Sequence, residues 1–224
     1  MHACFLRVAP RGSGANELDM SITLCHEGAK AVTARFIRNE LLWLNATENA
    51  RRRHADRKLG APALMLCDWH TAAREADLYV LNRGYHSLID LNIMRELHDL
   101  NSTVGALAVL AGTTSSQPLT ERLVYRGTHA SSRACTSRTD PETRPWAEVD
   151  SLLRSRANAQ YNWRGIASQG DIARAVLGPH GITYLDTYVA TGMRPGGRMP
   201  GSCNHFCLPG PIDDWVRLLL AHWT

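Results

Sequence analysis

Apolar and polar positions alternate from Val32 to Phe36, where Thr33 and Arg35 separate Val32, Ala34 and Phe36, and this period of two predicts a strand. Asn39–Leu44, just beyond it, fits a helix as well as an extended segment. A polar stretch, Asn45–Gly60, reads as loop or exposed helix, and Asp68–Ala76 as a short helix. Asp77-Leu78-Tyr79-Val80-Leu81-Asn82 is an apolar run that ends on a polar residue, the pattern of a buried strand, and Gly84 marks a turn after it. Helical spacing returns over Leu88–Leu100, and Gly105–Leu110 reads as a further buried segment. Leu123–Arg126 is a strand, followed by a polar loop from Gly127 to Pro145. Ser168–Leu177 is helical, and Ile182–Asp186 is a strand entered through Pro179-His180-Gly181. Pro195–Gly210 is a loop dense in Gly and Pro. Ile212–Trp223 closes the chain as an amphipathic helix with Trp215, Leu218, Leu219 and His222 near one face.

Strands that alternate with helices predict an α/β fold with a mostly parallel sheet covered by helices. Sites in such folds gather at the C-terminal ends of the strands. Asn82, Arg126 and Asp186 are the polar residues at three predicted strand ends, and the Pro195–Gly210 loop leaves from the same rim.

With 224 residues the chain suffices for one domain with a sizeable core. Residues 1–24, rich in Gly, Arg and Ser near their start, are read as an irregular segment, and residues 25–224 as the domain. The formal charge of +4 is dispersed. Its densest cluster, Arg51-Arg52-Arg53 with His54, Arg57 and Lys58, has no interleaved aromatics, so it reads as a solvated surface and no nucleic-acid partner is expected. No apolar run is long enough to span a membrane.

Six cysteines change the picture of the compartment. Cys4, Cys25, Cys67, Cys135, Cys203 and Cys207 are spread along the chain rather than grouped in tight metal-binding pairs, which favours disulfides over zinc. Asn45-Ala46-Thr47 and Asn101-Ser102-Thr103 match the glycosylation pattern, making Asn45 and Asn101 candidate acceptors. Together these features predict a secreted or Golgi-lumenal protein whose signal or membrane anchor would precede Met1. Neither a metal nor an organic cofactor is expected.

The richest stretch is Ser202-Cys203-Asn204-His205-Phe206-Cys207-Leu208-Pro209-Gly210, which leads into the last helix. Two cysteines bracket a histidine, and a crosslink from either would hold the imidazole rigidly, as proton transfer requires. A surface histidine in a structural turn is the plain alternative.

This segment resembles the C-terminal signature of the PC-esterase family, which includes the trichome birefringence-like polysaccharide O-acetyltransferases. Cys203, His205, Cys207, Leu208, Pro209, Gly210 and Trp215 match that signature. Leu185-Asp186, Arg194-Pro195, Phe36-Ile37-Arg38-Asn39, the block from Asp77 to His86, and Tyr125-Arg126-Gly127-Thr128-His129 resemble the family's other blocks in order. The resemblance implies an SGNH-like three-layer α/β/α sandwich and a serine-histidine-aspartate triad. His205 would be the base. Asn82, Gly84, His86 and Arg126 would lie near the oxyanion or acyl pocket. Cys25, Cys67, Cys135, Cys203 and Cys207 would be the disulfide cysteines. The implied partners are a polysaccharide or glycan and a small acyl donor.

Three departures limit this expectation. The family's Gly-Asp-Ser nucleophile block is not visible; Gly12-Ser13-Gly14 is only remotely similar and follows no apolar strand. The nucleophile strand is therefore expected to lie outside this chain. Ser202 occupies the position of the triad aspartate, and Gly196 and Arg198 replace an Asp and a His of the family. The alternatives to an acyltransferase or esterase are a catalytically inactive glycan-binding or structural relative, and a truncated gene product.

Overall fold

The computed structural model describes residues 9–10, 19–24, 32–37, 76–83, 97, 100–103, 105, 119–131, 141–156, 160–199 and 201–223. The chain divides into two compact units, Met1–Ala76 and Asp77–Thr224, rather than at residue 24. The first unit holds an antiparallel sheet of β1 (Ala9–Pro10), β2 (Asp19–Leu24) and β3 (Val32–Ile37), in that order. The strand predicted at Val32–Phe36 therefore pairs with β2 in an antiparallel ladder and takes no part in the parallel sheet. Asp19–Leu24, read as irregular, supplies its partner strand.

The second unit is α/β. Its parallel sheet has the order β4 (Tyr79–Leu81), β5 (Leu123–Arg126), β6 (Thr183–Leu185). Residues 100–103 and α1 (Leu119–Arg122) are helical in the connection from β4 to β5. The connection from β5 to β6 carries α2 (Trp146–Arg154), a 3-10 turn (Gln160–Gly165), α3 (Ile166–Leu177) and a second 3-10 turn (Gly178–His180). Helix α4 (Thr187–Met193) follows β6 directly, and α5 (Pro211–Trp223) closes the unit.

Leu123, Val124 and Tyr125 are all buried, so both faces of β5 are covered, as a central parallel strand requires. On β4 the pattern alternates, with Tyr79 and Leu81 buried and Val80 exposed. Ile166, Gly170, Ala173 and Leu177 share one buried face of α3, at the spacing that makes a helix amphipathic. Ala130, Val149, Leu153, Trp163, Ile166, Ala167 and Tyr188 form a core cluster, against which Trp146, Met193 and Cys203 pack.

Helix ends follow local chemistry. Asp186 is the N-cap of α4, accepting from the Tyr188 and Val189 amides at 3.0 and 3.3 Å. Pro211 opens α5, where a missing N–H is harmless, and Asp213 accepts from the Gly210 amide at 2.6 Å. The expected apolar face of α5 is only partly right: Leu218 is exposed, while Trp215 and Leu219 are half-buried. The expected polar loop after β5 is corrected at its start. Gly127–Ser131 are buried, because Gly127 extends the ladder through its amide to the Leu185 carbonyl (2.9 Å) and Thr128 bonds inward. No described helix is long and apolar enough to cross a membrane.

Candidate functional site

Three strand ends build the floor of the site. Asn82 follows β4, and its Nδ2 donates to the Arg126 carbonyl at the end of β5 (2.8 Å). One of its two amide hydrogens is thus committed to holding adjacent strand ends together. The Thr128 hydroxyl lies 2.8 Å from the Arg83 carbonyl and 2.9 Å from Gln169 Oε1, linking β5 to the segment after β4 and to α3. At the end of β6, Asp186 is spent on the α4 cap and on an ion pair with Arg174 (3.0 Å).

Above this floor lies the turn that carries His205. An antiparallel bridge joins Arg198 to Phe206. Backbone bonds from Met199 N to His205 O (2.9 Å), Cys207 N to Gly197 O (2.7 Å) and Ser202 N to Met199 O (3.0 Å) close the turn on itself. Gly197 sits at φ +73°, and a Cβ on Gly210 would lie 2.5 Å from the Cys207 carbonyl oxygen, so both glycines are demanded by the chain path.

Arg198 braces the turn from inside. Its guanidinium donates to the carbonyls of Pro195 (3.1 Å) and Cys203 within its own loop and of Ala130 (3.2 Å) after β5, and stacks on the Phe206 ring at 4.8 Å. The Ser131 hydroxyl, 1% exposed, lies 2.8 Å from the Cys203 carbonyl and 2.5 Å from Asn204 Oδ1, sharing its proton between two acceptors of the turn. Cys203 is disulfide-bonded to a partner outside the described residues, and its side chain packs on the core. Cys207 differs from expectation: it is an exposed free thiol. Only one of the two cysteines flanking His205 is therefore a crosslink.

An aromatic cluster joins the turn to the sheet. His129 meets Phe206 edge-on with centroids 4.9 Å apart and lies 5.0 Å from the Trp215 ring; Phe206 and Trp215 are 5.5 Å apart. Arg126 stacks over Trp215 at 4.9 Å, worth about 0.5–2 kcal/mol according to its desolvation. Burial holds the His129 imidazole well below the usual histidine range, and the Arg126 and Arg198 cations push it further in the same direction. His129 is thus a neutral ring in a cationic surround.

His205 itself is exposed, and its Nδ1 lies 2.6 Å from Ser202 Oγ. The hydroxyl can donate to Nδ1 or accept from Nδ1–H. It therefore orients the ring without selecting a tautomer, and it offers no charge to an imidazolium. In chemical terms the turn presents an oriented, accessible imidazole at the rim of a parallel sheet. The described residues contain no His, Cys, Asp and Glu cluster that could hold a metal ion.

The structure thus brings Ser202 and His205 together and keeps Arg126 beside the aromatic cluster below them. Gly84, His86, Asn45, Cys25, Cys67 and Cys135 lie outside the described residues. Asn101 is exposed on a helical segment in which Thr103 is buried. His129, Ser131 and the bracing role of Arg198 are what sequence reasoning missed. A histidine three residues past a buried strand was the available signal for the first. No family model, curated protein or solved structure matches this chain.

Proposed function

We propose that the chain belongs to acyl-ester chemistry: transfer or hydrolysis of acyl groups, foremost O-acetyl groups on a polysaccharide or glycan, with His205 as general base. The observation that carries this reading is the 2.6 Å contact between His205 Nδ1 and Ser202 Oγ on a braced, exposed turn. The α/β unit supports an SGNH-like frame, a three-layer sandwich with its nucleophile strand outside the described residues. The disulfide at Cys203 supports an oxidising compartment, the Golgi lumen or the cell exterior. In this mechanism a serine hydroxyl attacks the acyl carbonyl while His205 takes its proton. The imidazolium passes that proton to the departing group of the acyl donor. A sugar hydroxyl or water then gives its own proton to His205 as it takes the acyl group, and that proton returns to the serine.

The uncharged partner on Nδ1 favours a second reading, an inactive glycan-binding relative. Removing the aspartate from a working triad costs about 10⁴ in kcat, and Ser202 restores only the orienting part. Release of acetate from acetylated xylan oligosaccharides, compared between the wild type and His205→Ala, separates the two. Acetate release that falls by at least about a hundredfold in the variant supports the base. Binding of the same oligosaccharides by both proteins, with no release by either, supports the inactive relative.

A further inference from the structure

The pair on the turn has a second use. We propose that Ser202 is itself the nucleophile, forming with His205 a self-contained serine–histidine dyad that accepts small activated acyl esters. The inference rests on the reading of His205 as base, and it supplies that base with a nucleophile.

The geometry meets three requirements. Ser202 Oγ and His205 Nδ1 are 2.6 Å apart, within the reach of a nucleophile and its base. Both residues are accessible: His205 is exposed and Ser202 partly so. An acyl group can therefore approach Oγ without first opening the fold. The Asn204 amide donates to Ser202 Oγ at 3.4 Å, which helps hold the hydroxyl where it faces His205.

Rigidity supports the same conclusion, since a nucleophile–base pair works only while its distance is held. Ser202 is tied through its amide to Met199, and His205 through its carbonyl to the Met199 amide. Between them, the Cys203 carbonyl is gripped by Arg198 and Ser131. The exposed turn buries no large leaving group, so the class of substrate is a small ester whose leaving group departs unaided.

The chemistry balances without a further reactant. Ser202 Oγ bonds to the acyl carbon and its proton moves to Nδ1. The carbon–oxygen bond to the leaving group breaks and the leaving oxygen departs as the anion, while the imidazolium releases its proton to bulk water. Water then attacks the acyl-serine, again giving a proton to Nδ1, and Ser202 recovers its proton as the acid leaves. A sugar hydroxyl in place of water turns hydrolysis into transfer.

The test is peptide mapping of the 224-residue chain after brief exposure to p-nitrophenyl acetate. The expected result is an acetyl group on Ser202 that alkaline hydroxylamine removes, as it does an ester but not an acetylated lysine. His205→Ala should lower this acylation by about a hundredfold or more. Ser202→Ala should abolish it. Ser202→Cys, whose circular dichroism should match the wild type, should carry the acetyl as a thioester at position 202. An ester acetyl on another serine, still dependent on His205, would overturn the dyad and leave His205 as base. Absence of any His205-dependent acylation would overturn the dyad alone, since the reading of His205 as base takes its nucleophile from elsewhere and is tested by acetate release.

Discussion

The ring of His129 stands edge-on to that of Phe206, 4.9 Å between centroids, one residue from the proposed base. The buried end of β5 and the exposed turn therefore share a single aromatic contact. Trp215 completes it from the last helix, 5.0 Å from His129. A proton on His129 would place a third positive charge beside Arg126 and Arg198 in a site already shielded from water.

Acid should therefore loosen this unit. The folded-state pKa of His129 lies well below 6.5, so the unfolded chain binds the proton more readily. The contribution to stability is complete above about pH 6.5 and is lost as the pH falls toward the folded value. Between pH 7.5 and 5, the unfolding free energy from urea titrations should fall for the wild type by up to about 1.4 kcal/mol per pH unit below 6.5 from this group. His129→Asn, although less stable overall, should show a shallower slope. Equal slopes would refute the assignment.

Arg198→Lys should lower stability by about 1–3 kcal/mol. Lysine keeps the charge but has no planar fork to serve the Pro195, Cys203 and Ala130 carbonyls together. Limited proteolysis should show faster cleavage within residues 199–207 for the variant, because the turn loses its internal brace. A cleavage rate identical to wild type would mean that the three bonds contribute nothing.

Gly170 and Tyr184 make a pair whose coupling should change sign. A Cβ at Gly170 would meet the Tyr184 hydroxyl at 2.7 Å, while the next nearest atoms lie at 3.7 and 3.8 Å. Gly170→Ala should destabilise the wild type. In a Tyr184→Phe background the obstacle is gone, and alanine's helix preference should stabilise by up to about 1 kcal/mol. Thermal melts of the four proteins decide it; the same sign in both backgrounds would contradict the packing.

Cysteine labelling should distinguish the two residues that flank His205. Iodoacetamide under native, non-reducing conditions should modify Cys207 and spare Cys203, which should react only after reduction and unfolding. Detection of Cys207 in a disulfide by non-reducing peptide mapping would count against the exposed thiol.

Periodicity located the strands of the second unit because each is short, apolar and ended by a polar group. Leu123–Arg126 appears with the predicted bounds, and Asp186 stands where the β6 run stops. What that polar ending does was not legible. The same strand-end position is a helix cap in Asp186, an inter-strand strap in Asn82 and a ring-stacking cation in Arg126. Residue type and spacing do not separate these roles, since each depends on a partner distant in sequence. Composition also concealed the burial of Gly127–Ser131, where Thr128, His129 and Ser131 look like loop residues. The Thr128 and Ser131 hydroxyls are paired with the Arg83 and Cys203 carbonyls, and the His129 ring packs between Phe206 and Trp215. Helix α4 lacks a long apolar stripe because Thr187 and Thr191 occupy its buried side.

Those two threonines belong to a short relay. Thr187 donates to the Gly127 carbonyl (2.6 Å), Thr191 to the Thr187 carbonyl (2.7 Å), and the Trp215 indole to the Thr191 hydroxyl (2.9 Å). Thr191 is the member that links the other two by its side chain, and its exchange for a hydrophobic residue would strand the Trp215 indole N–H. Sequence drift at Thr191 and Trp215 should accordingly be concerted: related chains would keep the hydroxyl with the indole, or abandon both in one lineage.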